Sequence, residues 1–168
     1  MLPVTPPVMK INTKKIAVEY ILINSSQVRM PRVFIQSWMH EVMKALRQRQ
    51  FKLTHYKTLS IVFLDPSEAK GLNFQFRQKK YATDILSFEG DGVNSLGELV
   101  LCPQVLRHQA REHGLSFRQE LGYMLIHGML HLLGLDHEKS PKEARYMFQI
   151  QDDIFEKLLV KFSCLVPY

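Results

Sequence analysis

The sequence has little cysteine. Cys102 and Cys164 are its only two, far apart and outside any CxxC pair. That scarcity speaks against a disulfide framework and for a reducing compartment, the cytoplasm. Long apolar runs are missing too. The longest stretch of the C-terminal half free of Asp, Glu, Lys and Arg is Leu121–Leu135, too short for a bilayer crossing and interrupted by two His. No membrane partner is therefore expected. The opening residues MLPVTPPVMKINTKK lack the apolar segment of a secretory signal, and no repeat, low-complexity segment or linker is visible. Acidic residues are in the minority, 16 against 22 Lys and Arg, which leaves a net charge of +6. A modestly basic balance favours an anionic partner such as nucleic acid without requiring one. With 168 residues, 46% of them hydrophobic and 23% charged, there is material for one apolar core and too little for two.

The pattern of apolar residues and breakers gives the organisation. Residues 1–12 read as a loose tail, since Pro3, Pro6 and Pro7 oppose both helix and strand; residues 13–168 read as a single domain. Ile16–Ile23 is predicted to be a largely buried strand and Thr58–Leu64 a second strand. Ile85–Phe88 and Glu98–Cys102 follow as strands on either side of a turn-rich Glu89-Gly90-Asp91-Gly92 loop. Five helices are expected. One opens at Pro31 with Phe34, Trp38, Val42 and Leu46 at helical spacing, and one follows Asp65-Pro66-Ser67, carrying Ala69, Leu72 and Phe76. A third runs from Pro103 to Gly114, and a fourth starts at a Ser116/Gln119 capping box and stops at Gly134. The fifth starts at Ser140-Pro141 and runs to about Phe162. The fourth is apolar around its whole circumference, the mark of a central buried helix. The fold class this implies is α+β, a mixed sheet of about four strands packed with about five helices.

On that central helix stand His127 and His131. A spacing of four amounts to about 40° of rotation and roughly 6 Å of rise, so both imidazoles leave one face. Gly134 ends the helix, and His137 arrives three residues later. A His pair alone is a weak signal; with Gly and a third His at fixed offsets it becomes specific. Core histidines satisfied by hydrogen bonds are the plainer alternative for any one of them. For all three, burial amid Leu and Met is costly unless something uses the ring lone pairs. Three imidazoles suit a transition metal such as Zn2+, one ion per chain, and leave a fourth position open, as in hydrolytic rather than structural sites. The spacing H-x-x-x-H-x-x-G-x-x-H is that of the metzincin proteases, whose general base is a Glu directly after the first His. Gly128 occupies that place, so the metal site survives and the peptidase chemistry does not.

The run His127-Gly128-Met129-Leu130-His131-Leu132-Leu133-Gly134-Leu135-Asp136-His137 resembles the H-G-x-L-H-L-x-G-x-D-H signature of the YbeY family, bacterial metal-dependent endoribonucleases associated with ribosomal RNA maturation. Leu72-Asn73, Arg77 and Thr83-Asp84-Ile85-Leu86-Ser87-Phe88 are similar to a second family stretch, and Leu96-Gly97-Glu98 to a third. The resemblance spans Leu72–His137. It implies zinc held by His127, His131 and His137, a cleft beside them with Arg77 facing the RNA, and single-stranded RNA, from the ribosome or its subunits, as partner; DNA is not expected. Lys80 and Ala82 stand where the family has Asp and Pro, and Glu98 replaces its Asp.

Beyond the three His, Arg77, Lys79 and Lys80 form a basic cluster that by itself reads as a solvated loop; with the resemblance it becomes a candidate for substrate binding, with Arg77 stabilising transition-state charge. Lys44, Arg47, Arg49, Lys52 and Lys57 could extend an electrostatic track or form a plain solvated face. Asp136 is a candidate either to hold a ligand imidazole or to cap the next turn. Ser87 and Thr83 are weaker phosphate candidates. Tyr81 and Phe88 could stack on bases but read more simply as core. His40, His55, His108 and His113 read as bystanders. Two readings of other classes remain: an RNA-binding or ribosome-assembly factor with a structural metal, and a zinc peptidase.

Overall fold

In the computed structural model, residues 18–53 and 56–163 are described; the tail assigned to residues 1–12 lies outside them, as do His55 and Cys164. The elements run β1 (Glu19–Asn24), α1 (Arg32–Gln48), β2 (Thr58–Phe63), α2 (Pro66–Arg77), β3 (Ile85–Glu89), β4 (Ser95–Leu101), α3 (Pro103–His113), α4 (Phe117–Leu132) and α5 (Pro141–Ser163). The four strands form one sheet in the order β1-β2-β4-β3. β1, β2 and β4 are parallel, and β3 runs antiparallel to β4 at the edge. The expected mixed α+β architecture is what the chain adopts.

Local chemistry sets the helix ends. Ser116 Oγ accepts from Gln119 N (3.2 Å) while Ser116 N donates to Gln119 Oε1 (2.8 Å), the reciprocal cap the sequence suggested for α4. At the other end Gly134 takes a positive φ of 88°. Gly134 N then donates to His131 O (2.9 Å) and Leu135 N to Leu130 O (3.0 Å), a closed C-terminal cap that reverses the chain. α4 runs through the centre, against β3 and β4 on one side and flanked by α1, α3 and α5. It buries Leu121, Met124, Leu125, Ile126, Met129, Leu130 and Leu132, which explains its all-round apolar sequence. α1 packs beside it through Ile35, Trp38, Met39, Val42, Met43 and Leu46, and Trp38 Nε1 donates to the carbonyl of Gly122 (3.0 Å).

Two expectations about burial need correction. β1 is not a largely buried strand: Ile21 and Ile23 are 40% and 46% exposed. Its successive side chains leave opposite faces of the sheet and one face is open to solvent, so only alternate residues, Tyr20 and Leu22, reach the core. In α2 the inward residues are Ala69 and Asn73, while Phe76 is exposed. Its ring meets Phe88 edge-on at 4.9 Å. The helix lies on the rim of the sheet rather than across it, and a rim helix buries a narrower stripe than its apolar spacing suggests.

Candidate metal centre

Helix geometry and the Gly134 turn bring the three imidazoles together. The candidate ligand atoms of His127, His131 and His137 all lie within 4.8 Å of one another, and the ring centroids are 4.7 to 5.2 Å apart. Nε2 of His131 is 3.1 Å from Nε2 of His127. Two imidazole nitrogens at adjacent corners of a tetrahedral zinc site, each about 2.0–2.1 Å from the ion, stand roughly 3.3 Å apart, so this pair already has the spacing of shared ligands. Burial, above all, pushes the pKa of both His127 and His131 down, and the neighbouring imidazoles push the same way. The rings are thus held neutral, the form in which a nitrogen can ligate a metal.

A residue the sequence analysis did not single out fixes the orientation of His127. Gln151 of α5 is fully buried. Its Nε2 donates to the carbonyl of Tyr123 (3.3 Å), and its Oε1 lies 2.9 Å from His127 Nδ1. The carbonyl leaves the amide one favourable orientation, so Oε1 accepts from Nδ1–H and the Nε2 lone pair turns towards the other two rings. The signal in the sequence was a lone amide inside the apolar stripe formed by Met147, Ile150, Ile154 and Leu158.

Gly128 has a role beyond the missing carboxylate. A Cβ built there would sit 2.6 Å from Ile85 Cδ1 and 2.8 Å from Leu99 Cδ2. The helix lies so close to the sheet here that a side chain at this position would press on Ile85, Leu99 and Ser87.

The three His open onto a cleft of about 740 Å³. Its walls include β3 from Ile85 to Glu89, Tyr123 and Met124 of α4, the turn from Gly134 to Lys139, Phe148 of α5 and Arg77 at the end of α2.

This arrangement of sequence and fold has known relatives. The family model described as Endoribonuclease YbeY matches residues 20–159. The chain is 52% identical over 147 residues to Endoribonuclease YbeY of Bdellovibrio bacteriovorus, covering 86% of this chain and 98% of that protein. It is 34% identical over 147 residues to the Endoribonuclease YbeY of Mycoplasmopsis synoviae, covering 83% and 94%. A solution structure of a Thermotoga maritima protein superimposes with a TM-score of 0.62 at 25% identity, over 87% of this chain and 93% of that one. The chain belongs to the YbeY family. It is an endoribonuclease, as its motifs implied.

Within the YbeY fold the remaining candidates separate. Arg77 lines the cleft, and its Nη2 pairs with Glu138 Oε1 at 3.1 Å, linking the end of α2 to the turn that carries His137. Lys79 and Lys80 are exposed and do not line the cleft, whereas Lys139 does. Asp136 lines it too, with Oδ1 accepting from Glu138 N at 2.8 Å. That hydrogen bond, first among several causes, holds the Asp136 carboxyl below the usual carboxylate range. Ser87 faces the cleft, its hydroxyl 3.4 Å from the Gly128 carbonyl, while Thr83 donates to Asp84 Oδ1 (3.1 Å). Phe88 lines the cleft; Tyr81 is exposed and does not, so its reading as core fails. Glu98 sits on β4 opposite Phe88 and Ser60, away from the cleft. Lys44, Arg47, Arg49, Lys52 and Lys57 do not line it either. Among the other histidines, His108 pairs with Glu112 and His113 with Glu120.

Proposed function

We propose that this endoribonuclease cuts single-stranded RNA at a metal centre built from His127, His131 and His137, with Zn2+ as the ion and ribosomal RNA in the cytoplasm as the substrate. The observation that carries the reading is the 3.1 Å approach of two imidazole nitrogens whose lone pairs converge beside an open cleft. These three imidazoles would hold a divalent ion, which would supply Lewis acidity for a phosphoryl oxygen and lower the pKa of a water from about 15.7 to about 7. The chain's own residues do the rest. Gln151 keeps His127 in the ligating tautomer. Arg77 offers a planar, permanently charged fork for a phosphate and shares the charge that develops in the transition state. Its partner Glu138 keeps the guanidinium turned towards the cleft mouth until the phosphate takes the carboxylate's place. Lys79 and Lys80, outside the cleft, add charge to the approach of the strand, and Asp136 stiffens the turn that presents His137. Nothing favours the peptidase, since Gly128 offers no carboxylate to act as its general base.

The test removes and restores the ion. Purified protein stripped by a chelator is expected to lose cleavage of an unstructured ribosomal RNA fragment and regain it when Zn2+ is added back. RNA binding without turnover, whether or not metal is present, would mean that the site is structural and the protein a binding factor.

A further inference from the structure

Phe148 is misplaced for a core residue. α5 buries Met147, Ile150, Gln151, Ile154, Phe155 and Leu158. Phe148 stands beside that stripe, 39% exposed and outside the apolar core. Its ring lies instead over the imidazoles, with centroids 5.4 Å from His137 and 6.2 Å from His127 and planes inclined by only 31° and 26°. It also lines the cleft. The imidazoles support the ring as a flat layer beside the metal centre, and more than a third of the residue remains open to water.

A fixed, apolar, flat surface in a cleft that receives RNA has an evident counterpart in the substrate: every nucleotide carries a base with a π-face. We propose that Phe148 is the stacking platform for the nucleobase next to the scissile phosphate, an inference that rests on the RNA-cutting reading and adds a base subsite to it. The β3 wall of the cleft suits the edge of such a base. Cys102 N donates to Asp84 O, and Gly90 N donates to Leu96 O. The alternation of an antiparallel ladder then turns the main-chain N–H and C=O of Ser87 and Glu89 away from β4. Both residues line the cleft, so β3 presents donors and acceptors where Phe148 presents a face. Arg77 and Lys139 on the same cleft supply positive charge for the phosphates. Stacking of this kind is sequence-tolerant, so the subsite selects an unpaired base rather than a particular one.

The test compares wild type with Phe148→Ala, Phe148→Leu and Phe148→Trp. Binding of a single-stranded oligoribonucleotide is followed by fluorescence anisotropy, KM and kcat are measured for its cleavage, and bound metal is quantified in every sample. Phe148→Ala is expected to weaken binding and raise KM by roughly 5- to 150-fold with metal content unchanged. Phe148→Leu, which keeps apolar bulk without a π-face, should lose most of that factor, and Phe148→Trp should match or exceed wild type. Removing the single base beside the cut site should weaken wild type by the same factor and affect Phe148→Ala little further. Wild-type behaviour of Phe148→Leu, loss of metal from Phe148→Ala, or equal weakening of intact and abasic RNA by that variant would overturn the proposal. Tight base-dependent binding by wild type without any cleavage would uphold the platform while overturning the hydrolytic reading.

Discussion

The two walls of the cleft are built differently. On one side, His127 and His131 project from the most buried of the described helices, and Gln151 holds an imidazole by a fully buried amide. On the other side, Arg77 ends a rim helix and is held by an ion pair with Glu138, across a surface open to solvent. The first wall is determined by packing: α4 cannot shift without displacing Ile85 and Leu99 from Gly128. The second is held by a surface ion pair, the kind of contact whose net worth is small and easily exchanged. Metal ligation demands fixed lone pairs, whereas a phosphate contact must form and release with every strand bound. The division of rigidity follows the division of labour.

Substitutions on each wall sharpen that contrast. The largest effect is expected from His131→Ala, which removes one of the three proposed ligands from the rigid wall. Metal content should fall to background and RNA cleavage with it, measured on protein purified in parallel with wild type to exclude contaminating ribonuclease. Arg77→Glu acts on the other wall. It should leave metal content intact while lowering cleavage by about 10²- to 10³-fold, the scale for losing one charge-stabilising donor. If the two variants lose metal alike, the walls are not independent. Full activity in either would remove the role assigned to that residue.

How much of this could be read in advance differs between the walls for the same reason. The three His, their spacing and the Gly134 stop are local along the chain, and helix geometry alone carries them into one cluster. The β1-β2-β4-β3 order depends on pairings between distant segments, which no periodicity encodes. Gly128 read as the absence of a base because its real constraint, the distance to Ile85 and Leu99, exists only once the helix lies on the sheet. Gln151 and Phe148 carry no signal in the sequence motif because α5 reaches the site from beyond it. Adjacency groups Lys79 and Lys80 with Arg77, yet Gln78 takes a left-handed conformation (φ 58°) directly after α2, and neither lysine lines the cleft.

A smaller effect on the rigid wall should come from Gln151→Leu, which keeps the buried volume and removes the acceptor for His127 Nδ1. Losing such an orienting partner typically costs 10- to 100-fold in metal affinity. Competition with a fluorescent zinc chelator would measure it, and nitrogen chemical shifts of the His127 ring would show whether the tautomer is released. Unchanged affinity with an unchanged ring would mean that packing alone orients His127, making the wall even less dependent on hydrogen bonding than its structure suggests.

The smallest effect lies at the far end of the same helix, where His113 Nδ1 is 2.9 Å from Glu120 Oε2. The hydrogen bond to Glu120, and then its charge, raise the His113 pKa above the ordinary value. A raised pKa in the folded state means that folding takes up a proton. The stabilisation is complete below the unfolded value of about 6.5 and fades as pH rises through the folded one. The melting temperature of metal-loaded wild type should therefore fall more between about pH 6 and pH 9 than that of His113→Gln, which has no proton to lose. His113 is largely exposed, so solvent screening keeps the difference slight, and it should shrink further in high salt. Parallel pH profiles in the two proteins would mean that Glu120 holds the start of α4 without help from the charge on His113. The packing-determined rigidity of the buried wall would then extend along the whole helix.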